Sequence, residues 1–493
     1  MFRLPLVAAL GVSVVCFALP AGEPCWAQEV QIDQEAQVAS TPTSLQARLR
    51  DGVESSWADR GMSLLGLAAF IGIAWLLSTH RKQVDWKIVL WGTVQQFVIA
   101  FLVLKTAPGR KLFQWANDIF NALTDHTIEG AKFLFGNLVF QNVPMGPGNA
   151  IKPEMNPIGG GGGDWAHTGA FFAFNVLPTI IFFSSLMTLL YHWGIMQWVV
   201  RGLGWLMSRT MKISGAESLS TAGNIFLGQT EAPLLVRPYL AEMTKSELHC
   251  IMAGGFGTVA GGVLAAYVGI LSRYFPDIAG HLISASVMAA PAVIVASKVM
   301  FPETGTPVTR GGVKVKLERL DANSIDAAAR GAGEGLTLAL NVGAMLLAFI
   351  ALISLANAMV SWSLSWFGVE GFTLQTALGW LCAPLAWLMG IPWRDAVGVG
   401  TLLGEKTVLN EFVAYIHLAN MIQEPGSLSP RSVVIATYAL CGFANFSSIA
   451  IQIGGIGGMV PQRRHELSTL GLRAMVAGTL ANFMTACVVG VLI

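Results

Sequence analysis

The chain has 493 residues, of which 54% are hydrophobic and only 12% are charged, and its mean hydropathy is +0.59. A soluble chain of this length would carry about twice that share of charge, so the composition indicates an integral membrane protein. The formal net charge of +1 provides no basic surface for nucleic acid. The six cysteines lack C-x-x-C spacing, so we expect small buried hydrophobes and neither a disulfide framework nor a zinc site.

Residues 1–27 have the features of a cleaved secretory signal. Arg3 precedes a short apolar core, and small or compact residues lie before the expected cut after Ala27. The alternative is an uncleaved first span, but the apolar core is too short to cross a bilayer comfortably. After cleavage the chain would begin outside the membrane with a polar segment over residues 28–60.

Apolar runs that are long enough to cross a bilayer predict eight transmembrane helices. They lie near residues 62–79, 87–105, 170–192, 247–271, 277–300, 336–361, 432–459 and 473–493. With an external start, the basic clusters after the first, third, fifth and seventh spans fall inside, as the positive-inside rule requires. The main exceptions are Lys105, Arg110 and Lys111. Both ends of the mature chain are therefore expected on the external, periplasmic side.

Between the spans, three amphipathic segments are expected to lie along the membrane interface, over residues 109–138, 195–212 and 324–334. The stretch 144–165 is rich in proline and has five glycines at 159–163. This composition is typical of a flexible external loop.

Two apolar segments, 215–243 and 372–421, are interrupted by glycine, proline and charge and do not fit as spans. Each is predicted to form two short helices that meet at a polar tip, which is a re-entrant hairpin. Irregular backbone at membrane depth is tolerated only where it lines a cavity or is buried in protein.

The two hairpin segments and the glycine-bearing spans that follow them form an internal repeat. Aligning Gly255 with Gly442 sets Thr258 opposite Asn445. In the predicted topology the first hairpin enters from inside and the second from outside. Inverted repeats with broken helices are typical of secondary transporters, whose binding site lies near the middle of the bilayer.

Glu231 and Glu411 lie at corresponding places in the two hairpins. A carboxylate within a membrane costs about 2.5–3.5 kcal/mol, so it usually faces a cavity and serves function. One interpretation is that both carboxylates pair with Lys406 or Arg237 and stabilise the fold. The other is that they accept hydrogen bonds from an uncharged ligand that is rich in hydroxyl and amide donors.

The neighbours of the two glutamates favour the ligand interpretation. Gln229 and Thr230 supply donors and acceptors that suit the mixed edges of a heterocyclic base. Glu411 with Asn445 and Ser448 suits a sugar, because a carboxylate can hold two vicinal hydroxyls and the other two residues share one helical face. Phe443 is either a core residue or an apolar contact for the ligand.

Asn224 lies one turn before the tip of the first hairpin. Its amide oxygen, free carbonyls at an unwound helix end and the hydroxyl of Thr258 would be hard oxygen ligands that suit sodium. An ordinary helix cap at Asn224 is the alternative. The sequence lacks GxxxxGK[ST], H-E-x-x-H and G-x-S-x-G, and its histidines are dispersed, so an enzyme is not expected.

These motifs resemble one known family. GNIFLGQTEAPLLVRPYL at 223–240, NEFVAY at 410–415 and CGFANFSSIAIQIGGIGGMVPQRR at 441–464 resemble the concentrative nucleoside transporters. The resemblance runs from about residue 170 to the C-terminus. It implies an all-α membrane protein of the elevator type, which assembles as a homotrimer and has a scaffold part and a mobile transport part in each protomer.

The resemblance also implies roles for individual residues. The base would contact Gln229, Thr230, Glu231 and Val263, and the ribose would contact Glu411, Phe443, Asn445 and Ser448. Sodium would be held by Asn224 and Thr258 with the backbone carbonyls of Leu227 and Val259. Because Gly228 leaves room beside Gln229 for a large base, purine and pyrimidine nucleosides are both expected.

The function expected from the sequence is sodium-coupled import of nucleosides across a bacterial inner membrane. The alternatives are a proton-coupled nucleoside symporter and a nucleoside-sensing receptor on the same scaffold. The predicted organisation is a signal peptide at 1–27, a periplasmic segment at 28–60, scaffold spans and an interfacial helix at 61–143, a Pro/Gly loop at 144–168, the third span with the first hairpin and first transport half at 169–335, a scaffold span at 336–371, and the second hairpin and second transport half at 372–493.

Overall fold

A computed structural model describes residues 55–140, 142–145, 164–167, 172–272, 274–310, 321–366, 368, 371–424 and 426–493. The expected signal peptide and most of the polar segment 28–60 lie outside these residues. Within them the fold is almost entirely helical, as predicted.

The helices follow one another in two halves of similar order. The first half contains α1 (Trp57–Leu76), α2 (Trp86–Lys105), α3 (Ala107–Phe135), α4 (Leu177–His192), α5 (Ile195–Met211), α6 (Gly215–Asn224), α7 (Lys245–Gly257), α8 (Gly261–Leu271) and α9 (Ile278–Met300). The second half contains α10 (Ser324–Ser365), α11 (Leu374–Leu388), α12 (Trp393–Val408), α13 (Glu411–Gln423), α14 (Pro430–Leu440), α15 (Phe446–Met459) and α16 (Arg464–Leu492). Shorter 3-10 or π segments cover Arg81–Gln83, Gly136–Val139, Phe172–Val176, Ala232–Tyr239 and Pro461–Arg463.

Seven helical segments in the described residues are long and apolar enough to cross a membrane. The bent pair α11 and α12 is long and apolar enough as well, if the two helices are taken together. The span predicted at 432–459 is wrong as a continuous helix, because α14 and α15 are separated by residues 441–445. The predicted span 247–271 is likewise divided into α7 and α8. The amphipathic segment 324–334 and the predicted span 336–361 form the single 42-residue helix α10.

The stretch that the sequence presents as a flexible loop has structure at both of its ends. Strand β1 (Asn142–Met145) pairs antiparallel with β2 (Asp164–His167), with Asn142 opposite His167. Backbone pairing thus closes the base of the stretch, and residues 146–163, which make up most of the predicted loop, lie outside the described residues.

Both re-entrant hairpins are present, with different boundaries from those predicted. The first consists of α6, a tip over 225–231 and the 3-10 segment Ala232–Tyr239. The second consists of α12 and α13, which meet at residues 409–410. The preceding helix α11 is separate from this hairpin and turns into α12 through a bend of 117°. Gly390 lies at this bend with a φ of +87°, which an L side chain rarely adopts.

The internal repeat extends to the order of the elements. In each half a helix (α5 or α11) precedes a hairpin, a broken span (α7–α8 or α14–α15) and a long helix (α9 or α16). The C-caps Thr258 and Cys441 therefore correspond, as do the N-caps Ala260 and Asn445. The break has three residues in the first half and five in the second, so Thr258 lies at the start of its break and Asn445 at the end of its own.

The two broken spans meet at their breaks. The backbone N–H of Phe443 donates to the carbonyl of Thr258 at 3.4 Å. Asn482 on α16 donates through Nδ2 to the carbonyls of Gly257 and Cys441, both at 2.7 Å. One side chain thereby stabilises both interruptions. This region is deeply buried. In the most apolar 18-residue stretch of Lys245–Leu271, which contains α7 and α8, 94% of the residues are buried, against 17% in the corresponding stretch of α10.

Candidate functional site

The second hairpin brings Glu411 to the break in α14–α15. Asn410 caps α13 by accepting from the N–H of Val413 at 3.0 Å, which places Glu411 in the first helical turn. Its carboxylate is buried and accepts from Tyr267 Oη at 2.9 Å and from Asn445 Nδ2 at 2.8 Å. Because a carboxylate has about four acceptor positions, two remain for other donors.

Asn445 and Ser448 are joined at the start of α15. The side-chain oxygen of Asn445 accepts from the backbone N–H of Ser448 at 2.9 Å, and this N-cap starts the helix. Both side chains are 2% exposed. The sequence prediction that Glu411, Asn445 and Ser448 form one polar cluster agrees with this geometry.

Gln229 connects the first hairpin to the same cluster. Its Nε2 donates to Ser448 Oγ at 3.4 Å, and its Oε1 accepts from Gln452 Nε2 at 3.1 Å. The hydrogen bonds thus run from Gln229 through Ser448 and Asn445 to Glu411, and they join the two hairpins.

Glu231 has a different environment from Glu411. Its side chain is exposed, and Oε1 accepts from the hydroxyl of Thr230 at 3.2 Å. A Cβ added to Gly228 would lie 2.0 Å from Glu231 Oε2. The expectation that Gly228 leaves open room for a large base is therefore not met in this structure, because the carboxylate of Glu231 fills that space.

The two carboxylates are not held by cationic side chains. Within the described residues, neither Glu231 nor Glu411 takes part in a salt bridge. Lys406 instead donates to the carbonyl of Ala439 and to Asn482 Oδ1, both at 2.9 Å, and Arg237 is exposed. The interpretation of both glutamates as structural ion pairs was wrong.

Asn224 and Thr258 both approach Gly254 in α7. A Cβ on Gly254 would be 3.0 Å from Asn224 Nδ2, and the hydroxyl of Thr258 donates to the Gly254 carbonyl at 2.8 Å. Asn224 is fully buried, yet neither its Oδ1 nor its Nδ2 has a hydrogen-bond partner in the described part of the chain. The interpretation of Asn224 as a helix cap is thus not supported, and the unpartnered amide oxygen fits a cation ligand.

The remaining candidate residues differ in burial. Val259 and Val263 are buried, whereas Leu227 and Phe443 are half-buried. The N–H of Gly261 at the start of α8 donates to the carbonyl of Phe226 at 2.9 Å, so the α8 segment that carries Val263 begins against the tip of the first hairpin.

Sequence reasoning missed four side chains that support the site. They are Tyr267, Lys406 as a donor to the Ala439 carbonyl, Gln452 and Asn482. Each is a polar or charged group in an apolar helix, and such groups are usually functional or bound to partners. That signal was present, but the partners of these residues lie far away in the sequence.

The fold and the site define a multi-pass membrane transporter in which two re-entrant hairpins and two broken spans enclose a polar, mainly uncharged cluster. Three family descriptions match the chain. "Na+ dependent nucleoside transporter N-terminus" covers residues 65–138, "Nucleoside recognition" covers 173–274 and "Na+ dependent nucleoside transporter C-terminus" covers 281–490.

Similar proteins occur in bacteria and animals. The uncharacterized transporter YutK of Bacillus subtilis is 42% identical over 433 residues, which are 87% of this chain and 98% of YutK. Sodium/nucleoside cotransporter 1 of Mus musculus is 40% identical over 444 residues, which are 87% of this chain and 63% of the relative. Solute carrier family 28 member 3 of Eptatretus stoutii is 40% identical over 448 residues, 88% of this chain and 61% of the relative. The chain thus spans about six tenths of these animal relatives.

Solved structures of CNTnw share the fold. The inward-facing, substrate-bound structure has a TM-score of 0.77 and 41% identity, and the match covers 87% of this chain and 97% of CNTnw. A doubly substituted variant of CNTnw in an outward-facing state has a TM-score of 0.79, 41% identity and coverage of 88% and 98%. The chain belongs to the concentrative nucleoside transporter family, which is a family of transporters and not of enzymes.

Proposed function

We propose that this chain carries nucleosides into the cell and that sodium ions drive the transport. The observation that carries the proposal is the hydrogen-bonded series Gln229–Ser448–Asn445–Glu411, which joins the two hairpins. It combines amide, hydroxyl and carboxylate groups, and Glu411 has no cationic partner in the part of the chain that the structure describes. Such a set suits a neutral ligand that has both hydroxyl donors and mixed heterocyclic edges.

The ribose is assigned to the second hairpin and α15. Glu411 keeps two acceptor positions beyond Tyr267 and Asn445, and two vicinal hydroxyls fit this capacity. Asn445 and Ser448 supply further polar contacts, and half-buried Phe443 offers an apolar one. A charged acceptor makes stronger hydrogen bonds than a neutral one, so Glu411 contributes most to recognition of the sugar.

The base is assigned to the first hairpin. Gln229 and Thr230 carry donors and acceptors, Glu231 is an exposed acceptor, and Val263 on α8 supplies apolar surface. We expect both purine and pyrimidine nucleosides to be substrates. A purine requires the Glu231 carboxylate to move away from Gly228.

Sodium is assigned to Asn224 and Thr258 with the backbone carbonyls of Leu227 and Val259. The supporting observation is the buried amide of Asn224, which lacks a hydrogen-bond partner among the described residues. Asn224 belongs to the same hairpin as Gln229, so an ion that orders one end of the tip also orders the base contacts. Coupling of this kind is reciprocal, because each ligand raises the affinity for the other.

We further propose the assembly and location that the resemblance implies. Because α10 is one continuous helix, the protomer divides into scaffold parts at 61–143 and 324–371 and transport parts at 169–323 and 372–493, and three protomers form a homotrimer. The exposed apolar faces of α2 and α10 suit contacts with lipid or with another protomer. The chain lies in the bacterial inner membrane with both mature ends in the periplasm, after removal of residues 1–27.

Uptake of labelled uridine into proteoliposomes tests the function. We expect saturable uptake that rises with an inward sodium gradient at constant pH. Uptake that ignores sodium and follows a proton gradient would support the proton-coupled alternative. Saturable binding without flux would support the nucleoside-sensing receptor, and the absence of nucleoside binding would contradict the proposal.

A further inference from the structure

Gln452 lies on α15 four residues after Ser448, so both side chains occupy one helical face. It is fully buried, and Nε2 makes two hydrogen bonds of 3.1 Å. One goes to the backbone carbonyl of Met252 on α7, and the other goes to Oε1 of Gln229. Both hydrogens of this amide are therefore used inside the protein.

The Met252 carbonyl fixes the direction of this series because a backbone carbonyl only accepts hydrogen bonds. Gln452 must turn its NH2 group toward Met252, and the same NH2 group faces Gln229. Gln229 must then present its oxygen to Gln452, so its own NH2 group points the other way. Ser448 imposes no direction, since a hydroxyl donates or accepts.

Both glutamines also pack closely against α7 at Gly255. A Cβ on Gly255 would lie 2.6 Å from Gln452 Nε2 and 2.8 Å from Gln229 Cβ. The glycine therefore lets the two glutamines approach α7 closely. With one N–H directed to Ser448, the second N–H of Gln229 remains for a ligand.

We infer that Gln452 is a positioning residue that fixes the Gln229 amide so that it offers only N–H donors to the substrate. This inference rests on the proposed function, in which Gln229 contacts the base of a nucleoside. The transporter then requires a hydrogen-bond acceptor on the base where Gln229 contacts it. A base that places an amino group there is rejected, because two donors would face each other.

Binding of three ribonucleosides to the purified full-length protein tests the inference. Uridine has acceptor oxygens at ring positions 2 and 4, cytidine has an amino group in place of the 4-oxygen, and isocytidine has one in place of the 2-oxygen. For the wild type we expect cytidine or isocytidine to bind about tenfold more weakly than uridine, the scale of one hydrogen bond. Gln452→Met frees the Gln229 amide to rotate and should bring all three Kd values within about threefold.

The matched control is Gln96→Met. Gln96 is also fully buried, donates to the carbonyl of Met288 at 3.3 Å and to Thr485 Oγ1 at 3.4 Å, and has an unpartnered Oε1 like that of Gln452 within the described residues. It should keep the wild-type preference. Both variants should have similar midpoints of thermal unfolding, so a change confined to Gln452→Met would be one of specificity.

A second variant separates positioning from a structural role. Gln229→Met should lose the preference by itself, and adding Gln452→Met should change it no further, because Gln452 acts through Gln229. The inference is overturned if Gln452→Met keeps the wild-type ratios, or if the wild type binds all three nucleosides equally well. Wild-type protein that binds none of the three would refute the proposed function instead.

Discussion

Replacing Glu411 by glutamine removes one negative charge from the ribose site and changes the shape very little. The carboxylate accepts from Tyr267 Oη and Asn445 Nδ2. A glutamine can keep both contacts if its oxygen faces Asn445, because the hydroxyl of Tyr267 can accept as well as donate. We therefore expect the Glu411→Gln variant to fold and to assemble like the wild type.

The effect on binding follows from the two acceptor positions that the carboxylate has left. A hydrogen bond to a charged group contributes about 1.5–3 kcal/mol, whereas a neutral one contributes about 0.5–1.5 kcal/mol. The difference is about 1–1.5 kcal/mol for each hydroxyl and about 2–3 kcal/mol for two. Glu411→Gln should thus raise the Kd of uridine by about 30- to 150-fold.

Calorimetric titration with uridine and 2′,3′-dideoxyuridine measures this effect and its location. The dideoxy compound lacks the two hydroxyls, so Glu411→Gln should change its Kd by no more than about threefold. Glu405→Gln is the matched control, because Glu405 is a buried carboxylate on the first arm of the same hairpin and binds His417 Nδ1 at 2.9 Å. Equal losses for both compounds in Glu411→Gln would show that the carboxylate does not hold the sugar hydroxyls.

Three further substitutions test other parts of the site. Asn224→Ala should raise the sodium concentration for half-maximal uptake by about tenfold or more, and an unchanged sodium titration would remove Asn224 from the ion site. Gly255→Ala should weaken uridine binding, because the new Cβ would lie 2.6 Å from Gln452 Nε2 and 2.8 Å from Gln229 Cβ and must displace both side chains; equal binding would contradict the close approach. Asn482→Leu removes three buried hydrogen bonds, including that from Lys406, and should lower the free energy of unfolding by on the order of 5 kcal/mol. A midpoint of thermal unfolding equal to that of the wild type would contradict this estimate for Asn482.

The hairpins could be predicted from the sequence because glycine, proline and charge interrupt otherwise apolar segments. The break at 441–445 was not found in this way, because residues 432–459 contain no charged residue and no proline. The break depends on Asn445, which caps α15, and on Asn482 of α16, which donates to the carbonyl of Cys441 at the end of α14. Hydropathy reports where a chain is apolar, and it does not report where the backbone stops being helical.

The predicted site residues come from local motifs, whereas the missed ones are defined by distant contacts. Tyr267 and Glu411 are 144 positions apart, and Gln229 and Gln452 are 223 apart. A tyrosine or a glutamine within an apolar helix can be recognised as unusual, but its partner requires the packing of the two halves. The neighbourhood of Gly228 shows the same limit, because only the structure places the carboxylate of Glu231 there.

Within the residues that the structure describes, the polar groups at the two breaks are satisfied by the protein, whereas the amide of Asn224 is not. Each interrupted helix leaves backbone carbonyls that need donors, and Asn482 supplies them to Gly257 and Cys441 while Lys406 supplies one to Ala439. With these carbonyls satisfied by the protein, the amide of Asn224 is left as a buried polar group without a partner among the described residues. A polar group in that position is destabilising unless a ligand satisfies it, and a small cation would satisfy its oxygen. Binding energy for the ion would then come from relieving a penalty that the fold itself creates beside the nucleoside site.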